Sequence, residues 1–218
     1  MAVAVHRLHL ATVWQAGEQV EVYGYLVLTG NRAVLVDTGV GDDSAVVERL
    51  FRPRRRPIAE LLGGHGVQAA DVSTVINSHL HYDHCGNNRL FPDADIVVQA
   101  SELAAARQPK YTIAAWFDYA GARLTTVSGD AEILPGIRVI ASHGHTPGHQ
   151  SVLIDDASGP TLIAAQAAFT AAEYAAGGDA AQAFAGLEAA YTESIARLKK
   201  LDARQVCFSH DHRTVDAG

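Results

Sequence analysis

Ser78-His79-Leu80-His81-Tyr82-Asp83-His84 follows directly on the apolar run Val72–Ile76 and sets three imidazoles and a carboxylate within six positions, 79 to 84. Neutral imidazole is a common protein ligand for first-row metals, and a nearby carboxylate can complete a shell or handle a proton. A polar surface loop is the alternative. Against it, no helical or strand period puts all three rings on one apolar face, and the rings would repel one another on protonation. The stretch points to a metal site delivered by a buried strand.

Around it lies a chain of 218 residues with 48% hydrophobic and 19% charged residues, enough for a core and without a signature of disorder. Its length suits one domain. Lys and Arg number 17 against 24 Asp and Glu, a net charge of −7, which argues against nucleic acid or an anionic membrane as the main partner. Cys85 and Cys207 cannot build a disulfide scaffold. Cys85 adjoins the histidines and could be a soft ligand, although a small residue opening the next helix fits it better. No signal peptide and no membrane span is evident, so a cytoplasmic protein is expected.

Strands are expected over Val3–Val13, Val20–Leu28, Ala33–Val36, Val72–Asn77, Asp95–Gln99, Arg123–Val127, Ile137–Ala141, Ser151–Ile154, Thr161–Ala165 and Val206–Ser209. Helices are expected over Asp42–Phe51 with Asp42 or Asp43 near its start, over Ile58–Gly64, and over Glu102–Arg107 capped by Ser101. A long helix, Asp179–Leu201, is expected behind Asp179, and the alanine-rich stretch Ala164–Ala190 favours helix and close packing. The basic tract Arg52–Pro57 has proline near both ends and reads as a solvated loop, with contact to an acidic ligand as the other possibility. Tyr111, Trp116, Phe117 and Tyr119 crowd Pro109–Gly121, where they could line a substrate pocket or pack against the core. Two batches of strands, each trailed by helices, suggest a two-layered sheet core with helices outside. Asp37, His79, His145, Gln166 and His210 all fall at or just beyond strand C-termini, where rigid elements can assemble a site.

The motif His79-x-His81-x-Asp83-His84, then Gly144-His145-Thr146-Pro147-Gly148-His149, then Ser209-His210-Asp211, resembles the metallo-β-lactamase superfamily, with Val36–Gly39 supplying its Val-Asp-Thr-Gly turn. Ser78–Asn88 and Thr146–Ser151 look most like its N-acyl-homoserine lactonase branch. The resemblance implies a four-layer αββα sandwich, here α/β in class, with residues 1–218 forming a single domain. It implies one zinc on His79, His81 and His145 and a second on Asp83, His84 and His210. Asp37 would tie the loops together behind the metals, and His149 would orient the site by hydrogen bonding. Asp211 would be structural, and His6, His9, His65, His143 and His212 would be surface or packing residues. The implied reaction is hydrolysis of a lactone or related carboxylic ester by a metal-bound hydroxide, with Asp83 orienting the nucleophile and shuttling a proton. The partner would be a small-molecule substrate; a homodimer is left open.

Two positions depart from that pattern. Gln166 stands where the family has an aspartate bridging both metals; a neutral amide is a weak ligand or none, which should weaken the second zinc site. Phe169 stands where the lactonase branch has a tyrosine that contacts the substrate carbonyl, and it offers no hydroxyl. Phe169, Trp116 and Tyr111 are the expected pocket residues. Another substrate class (thioester, β-lactam or organophosphate) and a non-catalytic binding role are the competing expectations.

Overall fold

The structure, a computed structural model, describes residues 3–216. Its first elements form a long hairpin. β1 (Val3–Gln15) and β2 (Glu18–Thr29) pair antiparallel from Val3↔Thr29 to Gln15↔Glu18, with a bulge between His9 and Ala11. β3 (Arg32–Val36) returns against β2, and α1 (Ala45–Phe51) follows. The short β4 (Arg54–Arg55) pairs back onto β1 at Ala11 and Thr12, ahead of α2 (Ile58–Gly63). β5 (Val72–Ile76) and β6 (Asp95–Gln99) then add in parallel beside β3. With β7 (Leu124–Val127) the sheet has seven strands in the order β4-β1-β2-β3-β5-β6-β7. β3 and β5 are buried at four of their five positions each, which matches their near-continuous apolar sequence.

The second sheet has six strands, ordered β13-β12-β11-β10-β9-β8. They are β8 (Ala131–Leu134), β9 (Ile137–Ala141), β10 (Gln150–Ile154), β11 (Thr161–Ala165), β12 (Gln205–Phe208) and β13 (Val215–Asp216). Neighbours pair antiparallel except β11 and β12, which run parallel. α3 (Ala100–Ala106) precedes this sheet, while α4 (Ala171–Ala176) and α5 (Glu188–Lys199) lie between β11 and β12 in the chain. Tyr191, Ile195 and Leu198 at i, i+4 and i+7 of α5 pack with Ile140, Leu153, Leu162 and Phe208 of the strands, as an amphipathic helix on a sheet should. Contacts divide the chain into two compact units, one of residues 3–97 and 106–125, the other of 98–105 and from 126 onward. No helix among the described residues is long and apolar enough to cross a membrane.

Several expectations need correction. α1 begins at Ala45 rather than at Asp42, and Ser44, whose side chain accepts from Val47 N, caps it. Asp43 is occupied elsewhere, by the Trp116 indole and by Arg89. Ser101 lies inside α3 and does not cap it. The basic tract is partly a strand, and Arg55 turns inward to donate to Val40 O at 3.2 Å and Gly41 O at 2.9 Å. No helix starts at Cys85, whose thiol lies against Leu80 O and His81 O. The expected helix Asp179–Leu201 is broken: Asp179 caps only the 3-10 turn Ala180–Gln182, irregular chain follows, and α5 begins at Glu188. β4, β8, β13 and α4 were not anticipated.

The tightest point of the first unit is where the loops after β3 and β5 meet. A Cβ built on Gly86 would stand 1.9 Å from Gly41 N, 2.6 Å from Val40 C and 2.7 Å from Gly39 O, all backbone atoms that cannot rotate away. Gly86→Ala should therefore cost about 3 kcal/mol or more in chemical denaturation. Gly63→Ala, with nothing within 4 Å of its built Cβ and a helical position, should be neutral or stabilise by up to about 1 kcal/mol. Equal effects would refute the close-approach account.

Candidate metal centre

The histidine loop hangs from the C-terminal end of β5 and is fixed by the residue after β3. Asp37 is buried and accepts three hydrogen bonds: from Ser78 N at 2.7 Å, Ser78 Oγ at 2.7 Å and His84 Nδ1 at 2.8 Å. An ionised carboxylate only accepts, so the His84 proton sits on Nδ1. The Ser78 hydroxyl proton is committed to Asp37, so Ser78 Oγ accepts from His79 Nδ1 at 3.0 Å. Both rings are thereby left with a lone pair on Nε2. His79 Nε2 faces His81 Nδ1 at 3.1 Å. Two imidazole nitrogens aimed at each other at that range suit a shared cation.

Behind the loop runs a second polar layer. Thr38 Oγ1 donates to Asn88 Oδ1 at 2.9 Å, Asn88 Nδ2 to Asn77 Oδ1 at 2.8 Å, and Asn77 Nδ2 to His84 O at 3.2 Å. All three side chains are buried, and the network leaves the loop no alternative path. Tyr82 stacks on Phe51 at 3.9 Å between centroids. Its hydroxyl is buried without a hydrogen-bond partner, and burial, then the Asp83 charge, pushes its ionisation well above the usual phenol range. It is a packing group here, not an acid.

In the other unit, the turn after β9 carries His145. A buried glutamate at the start of α3 grips it: Glu102 Oε2 accepts from Thr146 Oγ1 at 2.7 Å and from Gly148 N at 3.1 Å. A Cβ on Gly148 would meet Glu102 N at 2.1 Å, so glycine is required for the approach. His145 Nδ1 donates to Gln182 O at 3.2 Å, which again leaves Nε2 with its lone pair. Gln166 follows β11 immediately, and its backbone N–H donates to His149 Nε2 at 3.2 Å, while His149 Nδ1 meets Ser142 Oγ at 2.9 Å. His210 follows β12, with the Phe169 ring stacked on it at 4.6 Å and 20°. Beside it, Asp211 accepts from Ala171 N, Arg213 N and Arg213 Nε. Burial works to raise the Asp211 pKa, but these donors and the Arg213 charge outweigh it and hold the carboxyl below its ordinary range. Glu173 gathers Phe169 N, Asp179 N and the Tyr191 hydroxyl.

Potential ligand atoms fall into two groups. Those of His79, His81 and His145 lie within 4.8 Å of one another, and so do those of Asp83, His84 and His210. Cys85 belongs to neither group. Tyr111 lies against His81, with centroids 5.2 Å apart. Trp116, by contrast, is fully buried with its indole N–H on Asp43 and its ring under Gly41, so it packs the interior. His6 lies against His65 with ring centroids 4.2 Å apart, and His9 bonds Ala11 O, positions outside both groups. Sequence reasoning missed Glu102, Glu173, Asn77 and Asn88. A buried glutamate is recognisable only once its partners are in place.

These donors are what a divalent transition metal needs: imidazoles, of which His79, His84 and His145 have Nδ1 hydrogen-bonded from behind, and one carboxylate in the second group. Residues 18–210 match the family model of the metallo-beta-lactamase superfamily. The chain belongs to that superfamily. It is 33% identical over 211 residues to an N-acyl homoserine lactonase of a Bacillus species, covering 87% of this chain and 81% of that one. It is similar in structure to a B. thuringiensis AiiA mutant with N-decanoyl-L-homoserine bound at the active site, with TM-score 0.83, 25% identity, and 97% and 95% of the two chains covered. An N-acyl homoserine lactone hydrolase with its product N-hexanoyl-L-homoserine at the catalytic metal center matches with TM-score 0.79, 26% identity and the same coverage. The α/β metallo-β-lactamase fold expected from the sequence is the fold found.

Glu102→Ala would strand the Thr146 hydroxyl and the Gly148 amide in the interior. It should cost about 2–4 kcal/mol in urea denaturation, and Thr146→Val should cost less than about 2 kcal/mol. In the double variant the two losses should fail to add. Additive losses would mean that the carboxylate does not hold the turn through Thr146.

Proposed function

We propose that the protein is a zinc-dependent hydrolase that opens a lactone of the N-acyl-homoserine type, or a related carboxylic ester, at a two-metal centre. His79, His81 and His145 hold one zinc, and Asp83, His84 and His210 hold the other. The observation that carries this reading is the pair of ligand groups, in which His79, His84 and His145 each have Nδ1 hydrogen-bonded and Nε2 left to coordinate. The lactonase relatives supply the substrate class. Zinc bound there supplies Lewis acidity toward a carbonyl and lowers the pKa of water from about 15.7 to about 7.

The chain's own residues do the rest. Asp83, buried beside His84 with Oδ2 3.6 Å from Nε2, holds a proton and passes it to the ring oxygen as the acyl C–O bond breaks. Phe169, fixed through its backbone N–H by Glu173 and stacked on His210, offers the substrate an apolar wall. Tyr111 beside His81 offers a further aromatic wall, while the buried Trp116 packs beneath Gly41. Asp37 and His149 orient the two halves of the ligand set. Residues 1–218 act as a single domain on a small-molecule substrate. Both cysteines are buried and neither forms a disulfide, which suits the reducing cytoplasm in which we place the protein.

Metal-replete protein should carry about two zincs per chain and turn over N-acyl homoserine lactones, and chelation should abolish that turnover. Replete protein inert to lactones and esters but active on thioesters, β-lactams or organophosphates would reassign the substrate; inertness to all would end the hydrolase reading. Gln166→Asp places a carboxylate at the end of β11 and should tighten the more weakly held zinc by about tenfold or more in competition with a chromophoric chelator. Unchanged zinc retention would show that residue 166 does not face the metals.

A further inference from the structure

A pocket lies near the tip of the β1–β2 hairpin and shares no residue with the candidate metal centre. It has a volume near 200 Å³ and is lined by Thr12, Val13, Trp14, Gln19, Arg52 and Arg54. We propose that it binds a small aromatic phosphate ester, the phosphate between the Arg52 and Arg54 guanidiniums and the ring on Trp14.

Charge is the first argument. This chain carries a net −7, and seven of its arginines (55, 89, 107, 123, 138, 197 and 213) sit in ion pairs with carboxylates. Among the described residues, no ion pair engages Arg52 or Arg54, although carboxylates are abundant. Glu21, in register with Arg54 across Thr12, is engaged by Thr12 Oγ1 and His9. Two unneutralised guanidiniums bordering one cavity are a fork for a tetrahedral dianion.

Preorganisation is the second. Arg54 is held in β4 opposite Thr12. Arg52 caps the end of α1 at φ 43°, with its N–H on Glu48 O at 3.1 Å, and Pro53 stiffens the link between them. A non-glycine residue in the left-handed region costs roughly 1–2 kcal/mol, so the surrounding structure is enforcing this geometry. The third argument is Trp14, which remains 40% exposed opposite Gln19. Its indole face offers stacking area, and the Gln19 amide offers a donor and an acceptor at the rim.

Phenyl phosphate is the probe, titrated into metal-replete protein by calorimetry and by tryptophan emission. Of the two tryptophans, Trp116 is fully buried, so a change in emission reports Trp14. Saturable binding with Kd of about 1 mM or tighter is expected, with phenol and inorganic phosphate each binding more weakly. Arg52→Gln/Arg54→Gln, with an unchanged far-ultraviolet dichroism spectrum, should weaken phenyl phosphate by about tenfold or more. Arg54→Lys, which keeps the charge and loses the fork, should fall between. Trp14→Phe should retain the heat of binding and lose the emission change. Absence of saturation by about 10 mM, or equal affinity in the double variant, would overturn the site, the latter by placing the probe elsewhere. Equal affinity for inorganic phosphate would overturn the assignment of the ring to Trp14.

Discussion

Asp37 accepts from the amide and hydroxyl of Ser78 and from Nδ1 of His84, and these three bonds determine both the path and the protonation of the histidine loop. A carboxylate taken out of water is tolerable only when its lone pairs are met, so Asp37 and the start of the loop can coexist in one arrangement only. The residue adopts φ 61°, and its own N–H bonds Ile76 O at 3.0 Å, which ties the end of β3 to the end of β5. A charge buried behind the candidate ligands orients the His84 ring directly and the His79 ring through Ser78, and leaves Nε2 of each ring with its lone pair. Neutralising it would free the His84 tautomer and remove the acceptor that commits the Ser78 proton.

Strand ends delivering chemical groups were legible because two local signals coincided: apolar β-branched runs and, immediately after them, His or Asp. Val72–Ile76 followed by Ser78-His79 is the clearest case, and Val206–Phe208 followed by Ser209-His210 repeats it. What holds these groups was not legible. Glu102 acts on Thr146 and Gly148 across more than forty residues, and Asn88 answers Thr38 and Asn77 across fifty and eleven. Such residues resemble ordinary surface polars until the chain closes around them. No periodicity marks a group whose partner is remote in sequence.

The alanine-rich segment shows tertiary contacts overriding propensity. Local preference favours one long helix from Asp179, since alanine is the strongest helix former. The chain instead donates Phe184 N to Gly144 O at 2.8 Å and presents Gln182 O to His145 Nδ1 at 3.2 Å. The partners of both, Gly144 O and His145 Nδ1, lie in the turn that carries His145. A continuous helix would keep Gln182 O for its own i+4 amide and leave that imidazole without support. The break therefore exchanges helical hydrogen bonds for the orientation of a candidate ligand, and regular helix resumes only at Glu188.

Gln166 occupies a position whose backbone is determined independently of its side chain. Ala165 adopts φ 53°, a conformation costing an alanine about 1–2 kcal/mol, and it persists because its neighbours are all engaged. Ser209 N bonds Ala165 O at 3.1 Å, Ala167 N bonds Ala164 O at 3.0 Å, and Gln166 N bonds His149 Nε2 at 3.2 Å. Because His149 Nε2 accepts that bond, its proton lies on Nδ1, toward Ser142 O and Oγ. Each of these contacts uses main-chain atoms of the 164–167 turn, and none of the three uses the carboxamide side chain of Gln166. A carboxylate at this position would alter the charge and reach of one side chain while the turn presenting it stayed in place. Gln166→Asp would thus change charge and reach at a turn held by main-chain bonds, and zinc affinity is the property on which the change should register.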